Sequence, residues 1–469
     1  MSSVAANLLV VAFSNLLTTV VNFIYYPILT RGLGFSAEIL GRYQFYFSTV
    51  SVLIIFSLLS TNYVFIAETK KHSNKETLWF VNTAILTCSV FYICSVLLLS
   101  FFIALSSRDI LFLVFLGITD IIFLLGNTIL RDGKLFGVVA KLTVLKSLAN
   151  LLIGIGVGFF WRSEETLVLA FGISALLTGV MSIINRFGRS YRLDANFKYF
   201  SGLLSDGKSI VFFQTAVLGL GSFTQNLPVF AIGTLFDDQS VGYYSLSVKL
   251  LGATIALLSG ALGQTFLPYF SKSESDEKRI FEKQSLVSAT FFPVFCVASL
   301  VSPAIIPLLF GREFLSAVDL LLFMIPQYFL MSTITPYTST FISHKKSHIL
   351  LILHILNTPI MLSVVFPAKI FGFNLTQTVL CFVIVSVINR FLTMILSFRT
   401  AGVSWKASLL QNGFFTACLF GLAIPTKWSY VFLLGNVYSF LIFSKNKNTI
   451  INIKKQVLSK FSRKKKRMK

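Results

Sequence analysis

"YPILTRGLGFSAEILGRY", residues 26–43, closes a long apolar run with Pro27, Arg31 and a set of glycines, and "LPVFAIGTLFDDQSVGYY", residues 227–244, repeats its frame. Pro27, Gly32, Phe35, Gly41 and Tyr43 map onto Pro228, Gly233, Phe236, Gly242 and Tyr244 by a constant offset of 201. The same offset, with no gap, carries Ile54 to Ile255, Phe65 to Phe266, Lys71 to Lys272, Glu76 to Glu277 and Phe80 to Phe281. A biased composition produces some identities by chance, so the gapless Pro/Gly/Gly/Tyr frame carries more weight than the count. Each copy joins the outward end of one apolar run to the start of the next. The two halves are therefore expected to be parallel repeats related by an axis along the membrane normal.

Composition sets the surroundings. Hydrophobic residues make up 55% of the 469 residues, charged residues 12%, and mean hydropathy is +0.80. A soluble chain carries about twice that charged fraction. Fourteen apolar runs are read as spans, at about 6–30, 43–66, 78–104, 110–130, 136–160, 166–185, 209–235, 241–267, 285–309, 317–341, 349–367, 375–397, 408–425 and 428–444. Each approaches the ~20 residues of helix that a bilayer core of about 30 Å requires. The first twelve are well separated, whereas Pro425 and Lys427 are all that divide the last two. The first run lacks a basic leader and is read as a span, not a cleaved signal. The expected fold is thus an all-α membrane protein of 12–14 transmembrane helices, 14 favoured. Residues 1–190 form one six-helix bundle, 191–400 a second around a shared central cavity, 401–444 two further helices, and 445–469 a basic tail.

Orientation follows from where Lys and Arg fall. Loops after even-numbered spans, with the tail, hold 29 of the 40 (18 in loops, 11 beyond residue 444), and the opposite loops hold 7. Both termini are therefore placed in the cytoplasm, and the net charge of +22 is mostly topology. Nucleic acid is an unneeded partner. The tail "KKQVLSKFSRKKKRMK", with Ile450, Ile453, Val457 and Phe461 at helical spacing, suits a helix on anionic lipid headgroups.

Chemistry-bearing motifs are few. The five cysteines, Cys88, Cys94, Cys296, Cys381 and Cys418, all lie within spans with no CxxC or Cys/His cluster, so neither a disulfide framework nor a metal site is expected. No nucleotide loop, zinc-protease or nucleophile-elbow motif is present, and no soluble segment could hold a nucleotide domain. No cofactor and no catalytic residue is assigned.

"ILTRGLGFSAEILGRYQFY", "GTLFDDQSVGYYSLSVKLL", "LVSPAIIPLLFGREF" and "NTILRDGKLFGVVAKLTVLK" resemble the oligosaccharide flippases of bacterial surface-polysaccharide synthesis. Those flippases are the polysaccharide-transporter branch of the multidrug/oligosaccharidyl-lipid/polysaccharide exporter (MOP) superfamily. The resemblance covers roughly residues 5–400 and rests on loose glycine and proline patterns that define the superfamily, not a substrate. It implies undecaprenyl-pyrophosphate-linked oligosaccharide as substrate, moved from the cytoplasmic to the periplasmic leaflet of the bacterial inner membrane by alternating access. It further implies coupling to H+ or Na+, a place in O-antigen or capsule synthesis, and polysaccharide polymerase and chain-length proteins as partners.

The residues are consistent with such a cargo, because a pyrophosphate crossing the bilayer needs its charge shielded. Thr143, Lys146, Ser147 and Asn150 share one face of span five, Ser245, Lys249 and Gly252 one of span eight, and Ser386, Asn389, Arg390 and Thr393 one of span twelve. Asn15, Asn22 and Tyr26 line span one, and Gln214, Gly221 and Gln225 repeat that spacing on span seven. Lys146, Asn150, Lys249, Arg390, Arg31, Asn22, Gln214 and Gln225 are the substrate-binding candidates, against plain readings as snorkelling cations or outer anchors. Asp120, the one acidic residue near mid-span, is the candidate for ion coupling, or else a permanent partner of Lys146 or another base. Gly32, Gly34 and Gly41 predict a tight outer turn, and Pro27 and Pro228 predict matching bends that let two lobes rock.

Other classes fit less well. A multidrug antiporter of the same superfamily is expected to carry several acidic cavity residues, and a polymerase or ligase needs a long outer loop. A lipid II flippase shares the fold and the charge logic and stands as the alternative. From the charge bias, a reporter fused after residue 444 is expected to be active only as a cytoplasmic fusion. Periplasmic activity there would remove one of the last two spans.

Overall fold

The computed structural model describes residues 2–67, 73–103, 105–188, 191–270, 281, 283–338, 340–341, 344, 346–423, 435–439 and 441–442. Among these residues the regular structure is entirely helical: α1 Ser2–Pro27, α2 Ala37–Leu58, α3 Thr61–Ala67, α4 Asn74–Phe102, α5 Ser107–Asp132, α6 Phe136–Gly158, α7 Glu164–Phe187, α8 Phe197–Asp206, α9 Lys208–Leu235, α10 Asp238–Phe270, α11 Gln284–Phe310, α12 Leu315–Ile334, α13 Ser347–Ser363, α14 Val365–Ile370, α15 Leu375–Thr400 and α16 Lys406–Leu422. Ten of the described segments are long and apolar enough to cross a membrane. With α1, α10 and α16 they account for spans one to thirteen. Most of span fourteen, and the basic tail at 445–469, lie outside the described residues.

Polar residues at the ends fix where helices begin. Ser73 Oγ accepts from the Glu76 N–H at 3.2 Å while the Glu76 carboxylate accepts from the Ser73 N–H at 2.7 Å. Ser106 with Asp109 and Asn374 with Gln377 make the same reciprocal pair, satisfying donors that a first turn leaves free. The polar stretch between α7 and α9 contains the short helix α8, which buries Phe200 and Leu203. The strand of chain before it is tied to α4. Asn82 Nδ2 donates to the carbonyls of Arg192 and Asp194 at 2.8 and 3.0 Å, and Trp79 Nε1 donates to Asp194 Oδ2 at 2.7 Å. At the other end of the chain, α16 is held by a buried polar knot. Gln284 Nε2 donates to Ser288 Oγ, Ser288 Oγ to Asn412 Oδ1, and Asn412 Nδ2 to Gln284 Oε1, at 2.9, 2.9 and 3.2 Å.

The repeated stretch is built differently in its two copies. Pro27 ends α1, and the chain widens into a π-helical turn, Ile28–Gly32, in which the Leu33 N–H reaches back five residues to the Ile28 carbonyl at 2.9 Å. Gly34, at φ 74°, then reverses the chain, and Ser36 caps α2. In the second copy Leu235 stands where Gly34 would be, Pro228 lies inside the continuous helix α9, and Asp237 accepts from the Ser240 N–H at 2.7 Å to start α10. The two copies therefore leave their helices by different routes. A side-chain cap replaces the left-handed glycine, and the helix runs through its proline.

Gly41 and Gly242 are where the copies agree, and neither lies in a turn. A Cβ built on Gly41 would fall 1.7 Å from the carbonyl oxygen of Asp238, and one on Gly242 would fall 1.9 Å from that of Ala37. Ala37 and Asp238 are themselves related by the offset of 201, so the contact is reciprocal. The start of α2 crosses the start of α10 backbone against backbone, at the end of the bundle that the charge bias assigns to the outside. Ion pairs ring this crossing: Arg42 Nε–Asp238 Oδ2 at 2.8 Å, Arg42–Glu38 at 2.9 Å and Arg108–Glu164 at 2.6 Å. Exposed pairs contribute about 0–1 kcal/mol each, whereas forcing a side chain into close-packed backbone costs about 1–3 kcal/mol or more. Packing at the glycines is the stronger term.

Gly41→Leu and Gly242→Leu are expected to hold α2 and α10 apart without preventing membrane insertion. In either background a cysteine placed at Gln44 should react with an impermeant maleimide from the outside several-fold faster (on the order of fivefold, for a contact opened by about 1 kcal/mol). Unchanged labelling in both would mean the crossing does not seal the outer end.

Candidate functional site

Beneath the crossing lies a cavity of about 560 Å³ lined from both repeats. Helices α1, α2, α5, α6 and α7 supply one wall, and α10 with Phe310 of α11 the other. Many of its lining residues come from faces predicted by helical spacing. Asn22 and Tyr26 of α1, Thr143, Lys146, Ser147 and Asn150 of α6, and Lys249 and Gly252 of α10 all line it.

The two lysines sit in different electrostatic surroundings. Lys146 Nζ, which lines the cavity, is 2.9 Å from Asp120 Oδ1 on α5, and both side chains are largely buried (14% and 20% exposed). The same ammonium lies 3.8 Å from the ring centroid of Phe123 and 4.4 Å from that of Phe171. Lys249 Nζ lies over the rings of Tyr26 at 4.2 Å and Tyr43 at 5.4 Å. Among the described residues no carboxylate pairs with it. Aromatic faces stabilise an ammonium by roughly 0.5–2 kcal/mol, well short of a counter-ion. The site thus holds one neutralised cation and one open cation, framed by rings. Gln44 adds an acceptor: its Nε2 donates to Ser48 Oγ at 3.2 Å, while its buried Oε1 has no partner.

The remaining candidates fall elsewhere. Arg31 is exposed in the π-helical turn. On α9, Gln214 is half-buried and Gln225 exposed, and neither lines the cavity. Arg390 of α15 is half-buried and also does not line it. Sequence reading missed Tyr43, Gln44, Phe123 and Phe171 as lining residues. Aromatic residues at helical spacing look the same whether they fill a core or frame a cavity. Only the pairing of a lone mid-span Asp with a lysine on the next helix was available as a signal.

A sequence model described as "Polysaccharide biosynthesis protein" matches residues 28–319. Among curated proteins none matches this chain. Solved structures resemble it in fold at low identity. The lipid II flippase MurJ, in an inward-closed conformation, is 15% identical, with 95% of this chain and 100% of that one covered and a TM-score of 0.68. The Vibrio cholerae MATE transporter VcmN, in a mutant form, is 11% identical over 87% of this chain and 99% of that one (TM-score 0.58). A MOP superfamily transporter from Pyrococcus furiosus is 12% identical over 84% and 95% (TM-score 0.57). With its family match spanning more than half of the chain, this multi-pass membrane protein belongs to the polysaccharide biosynthesis protein family and has the fold of the MOP superfamily flippases and transporters.

Proposed function

We propose that the protein flips undecaprenyl-pyrophosphate-linked oligosaccharide from the cytoplasmic to the periplasmic leaflet of the bacterial inner membrane, for O-antigen or capsule synthesis. The observation that carries this reading is the open cation Lys249 facing the Lys146–Asp120 pair across one aromatic-framed cavity. A diphosphate headgroup meets Lys249 first, since among the described residues no carboxylate pairs with it. It then competes with Asp120 for Lys146. As the phosphate takes Lys146, Asp120 loses its counter-ion in a poorly hydrated setting and gains affinity for a proton or sodium ion. Anion entry and cation uptake are thereby linked at two adjacent side chains. Sugar rings pack on Tyr26, Tyr43, Phe123 and Phe171, and the lipid tail stays in the bilayer.

Alternating access follows from the same parts. The bundles at 1–190 and 191–400 rock about the cavity, with the α2–α10 crossing closing the outer side until release. The energy comes from an ion gradient, and no ATP is consumed. Lipid II, with the same diphosphate carrier, is the second reading, favoured by the fold likeness to MurJ. A multidrug antiporter fits less well, because the cavity leads with a cation.

Lys249→Gln is expected to lower surface polysaccharide about tenfold or more at normal membrane protein level, the loss of one charge-assisted contact, and Lys249→Arg to retain more than Gln. Full export by Lys249→Gln would sink the reading. Cells depleted of their lipid II flippase should not be rescued by this chain, and rescue would transfer the assignment to the second reading.

Asp120→Asn tests the exchange. It is expected to leave downhill movement of lipid-linked substrate in vesicles while abolishing its dependence on an imposed ion gradient. Breaking a buried pair costs about 3–5 kcal/mol, less where the stranded lysine opens on water as Lys146 does. Loss of the folded protein would make the pair structural only.

A further inference from the structure

The cavity has unlike walls. From the second repeat, Lys249 is, among the described residues, the one lining side chain that can hydrogen-bond, and the rest of that wall is aliphatic, glycine or phenylalanine. The first repeat supplies three side-chain amides, Asn22 of α1, Gln44 of α2 and Asn150 of α6. Hydroxyls on that wall are less available, since those of Thr19, Thr143 and Ser174 donate to carbonyls of their own helices at 2.8 Å. An amide offers both an acceptor and a donor, the complement of the groups on a sugar. Neutral hydrogen-bonding capacity is thus concentrated on the first-repeat wall.

Gln44 is the most constrained of the three. Asn22 is exposed and Asn150 half-buried, whereas Gln44 is only 8% exposed. Its Nε2 donates to Ser48 Oγ at 3.2 Å, one turn further along α2. That bond commits the nitrogen end of the amide, and the buried Oε1 is left without a partner. A buried acceptor with no donor is costly, and one on the wall of a cavity is answered by what the cavity holds.

The offset of 201 that relates the repeats carries Gln44 to Ser245 and Ser48 to Lys249. Equivalent turns of two equivalent helices therefore contribute to one cavity, α10 with an ammonium and α2 with an amide. Their depths differ. Gln44 follows Gly41 by three residues and Lys249 follows Gly242 by seven, and the two glycines meet in the reciprocal crossing. Four residues of helical rise put Gln44 roughly 6 Å nearer the outer seal along the bundle, a step that a sugar ring joined to a diphosphate can span.

We propose that Gln44 reads the carbohydrate. With the diphosphate on Lys249, Gln44 Oε1 accepts from an O–H or N–H of the sugar attached to it, and Ser48 is the positioning residue that holds the amide in that sense. This deepens the flippase reading and rests on it. Charge recognition belongs to the lysines and sugar selection to the first-repeat wall, with the sugar lying between the diphosphate and the outer seal.

The full-length protein in lipid nanodiscs is titrated with farnesyl diphosphate alone and with farnesyl diphosphate bearing glucose or N-acetylglucosamine, following its saturable thermal stabilisation. At least one sugar-bearing probe is expected to bind more tightly than the bare diphosphate. Gln44→Leu is expected to weaken that probe about tenfold more than the bare one, the loss of one buried hydrogen bond. Ser48→Ala is expected to move the same ratio in the same direction by less, and Lys249→Gln to weaken all three probes. No preference for either sugar-bearing probe, or an equal change of bare and sugar-bearing binding in Gln44→Leu, overturns the proposal. The flippase reading survives that result as long as Lys249→Gln weakens the bare diphosphate. Undiminished binding of the bare diphosphate in Lys249→Gln overturns both. Should Gln44→Leu fail to fold, Ser48→Ala decides, and an unchanged ratio there removes the role of Gln44.

Discussion

Two helices in this protein meet without side chains between them. The carbonyls of Ala37 and Asp238 occupy the positions that a Cβ on Gly242 and on Gly41 would need, so α2 and α10 approach as closely as backbones can. In a bilayer, where apolar surface gains little from leaving lipid for protein, such small-residue crossings are a main source of helix association. The rest of the architecture is arranged about this one. It brings the two repeats together at one end, and the cavity lined from both lies beneath it. It is also reciprocal under the internal symmetry, so each repeat presents the same surface to the other. A contact of that kind separates as a unit, whereas a scatter of long side chains would disengage piecemeal.

The charges obey a second constraint. A membrane interior tolerates few ionised groups, and each must be answered by a partner, a ring or water. Asp120 answers Lys146 at 2.9 Å, and two rings answer the rest of that ammonium. Lys249 is met by tyrosine faces, which attract a cation without neutralising it. The asymmetry between the lysines is a property of position: Asp120 on α5 pairs with Lys146 of α6, and among the described residues no carboxylate pairs with Lys249 of α10. The cavity therefore offers two unlike lysines, one open and one contested.

Much of this was legible in the sequence, for identifiable reasons. Apolar runs of bilayer length locate spans because the bilayer imposes length, and the placement of Lys and Arg in loops follows a rule local to each loop. The faces of α1, α6 and α10 were readable because helical spacing decides which residues of one helix point together. What spacing cannot decide is where that face points. Asn22, Lys146 and Lys249 reach the shared cavity, while Gln214, Gln225 and Arg390, drawn by the same rule, face other surroundings. The glycines show the same limit. Gly34 and Gly41 look alike on the page, yet one supplies a left-handed reversal and the other a helix crossing, and only the partner 201 residues away distinguishes them. The short helix α8 was passed over because a ten-residue polar stretch between spans is too short to cross a bilayer, although its apolar residues do recur on one face.

The internal repeat also explains why the two halves do not behave as copies. Asp120 stands against Lys146 within the first repeat, at 2.9 Å, whereas Lys249 of the second is met by the rings of Tyr26 and Tyr43, which the first repeat supplies. The second repeat thus brings to the shared cavity a cation that, among the described residues, no carboxylate pairs with. Since a bilayer opposes net charge in its interior, the two halves face different electrostatic costs on changing shape.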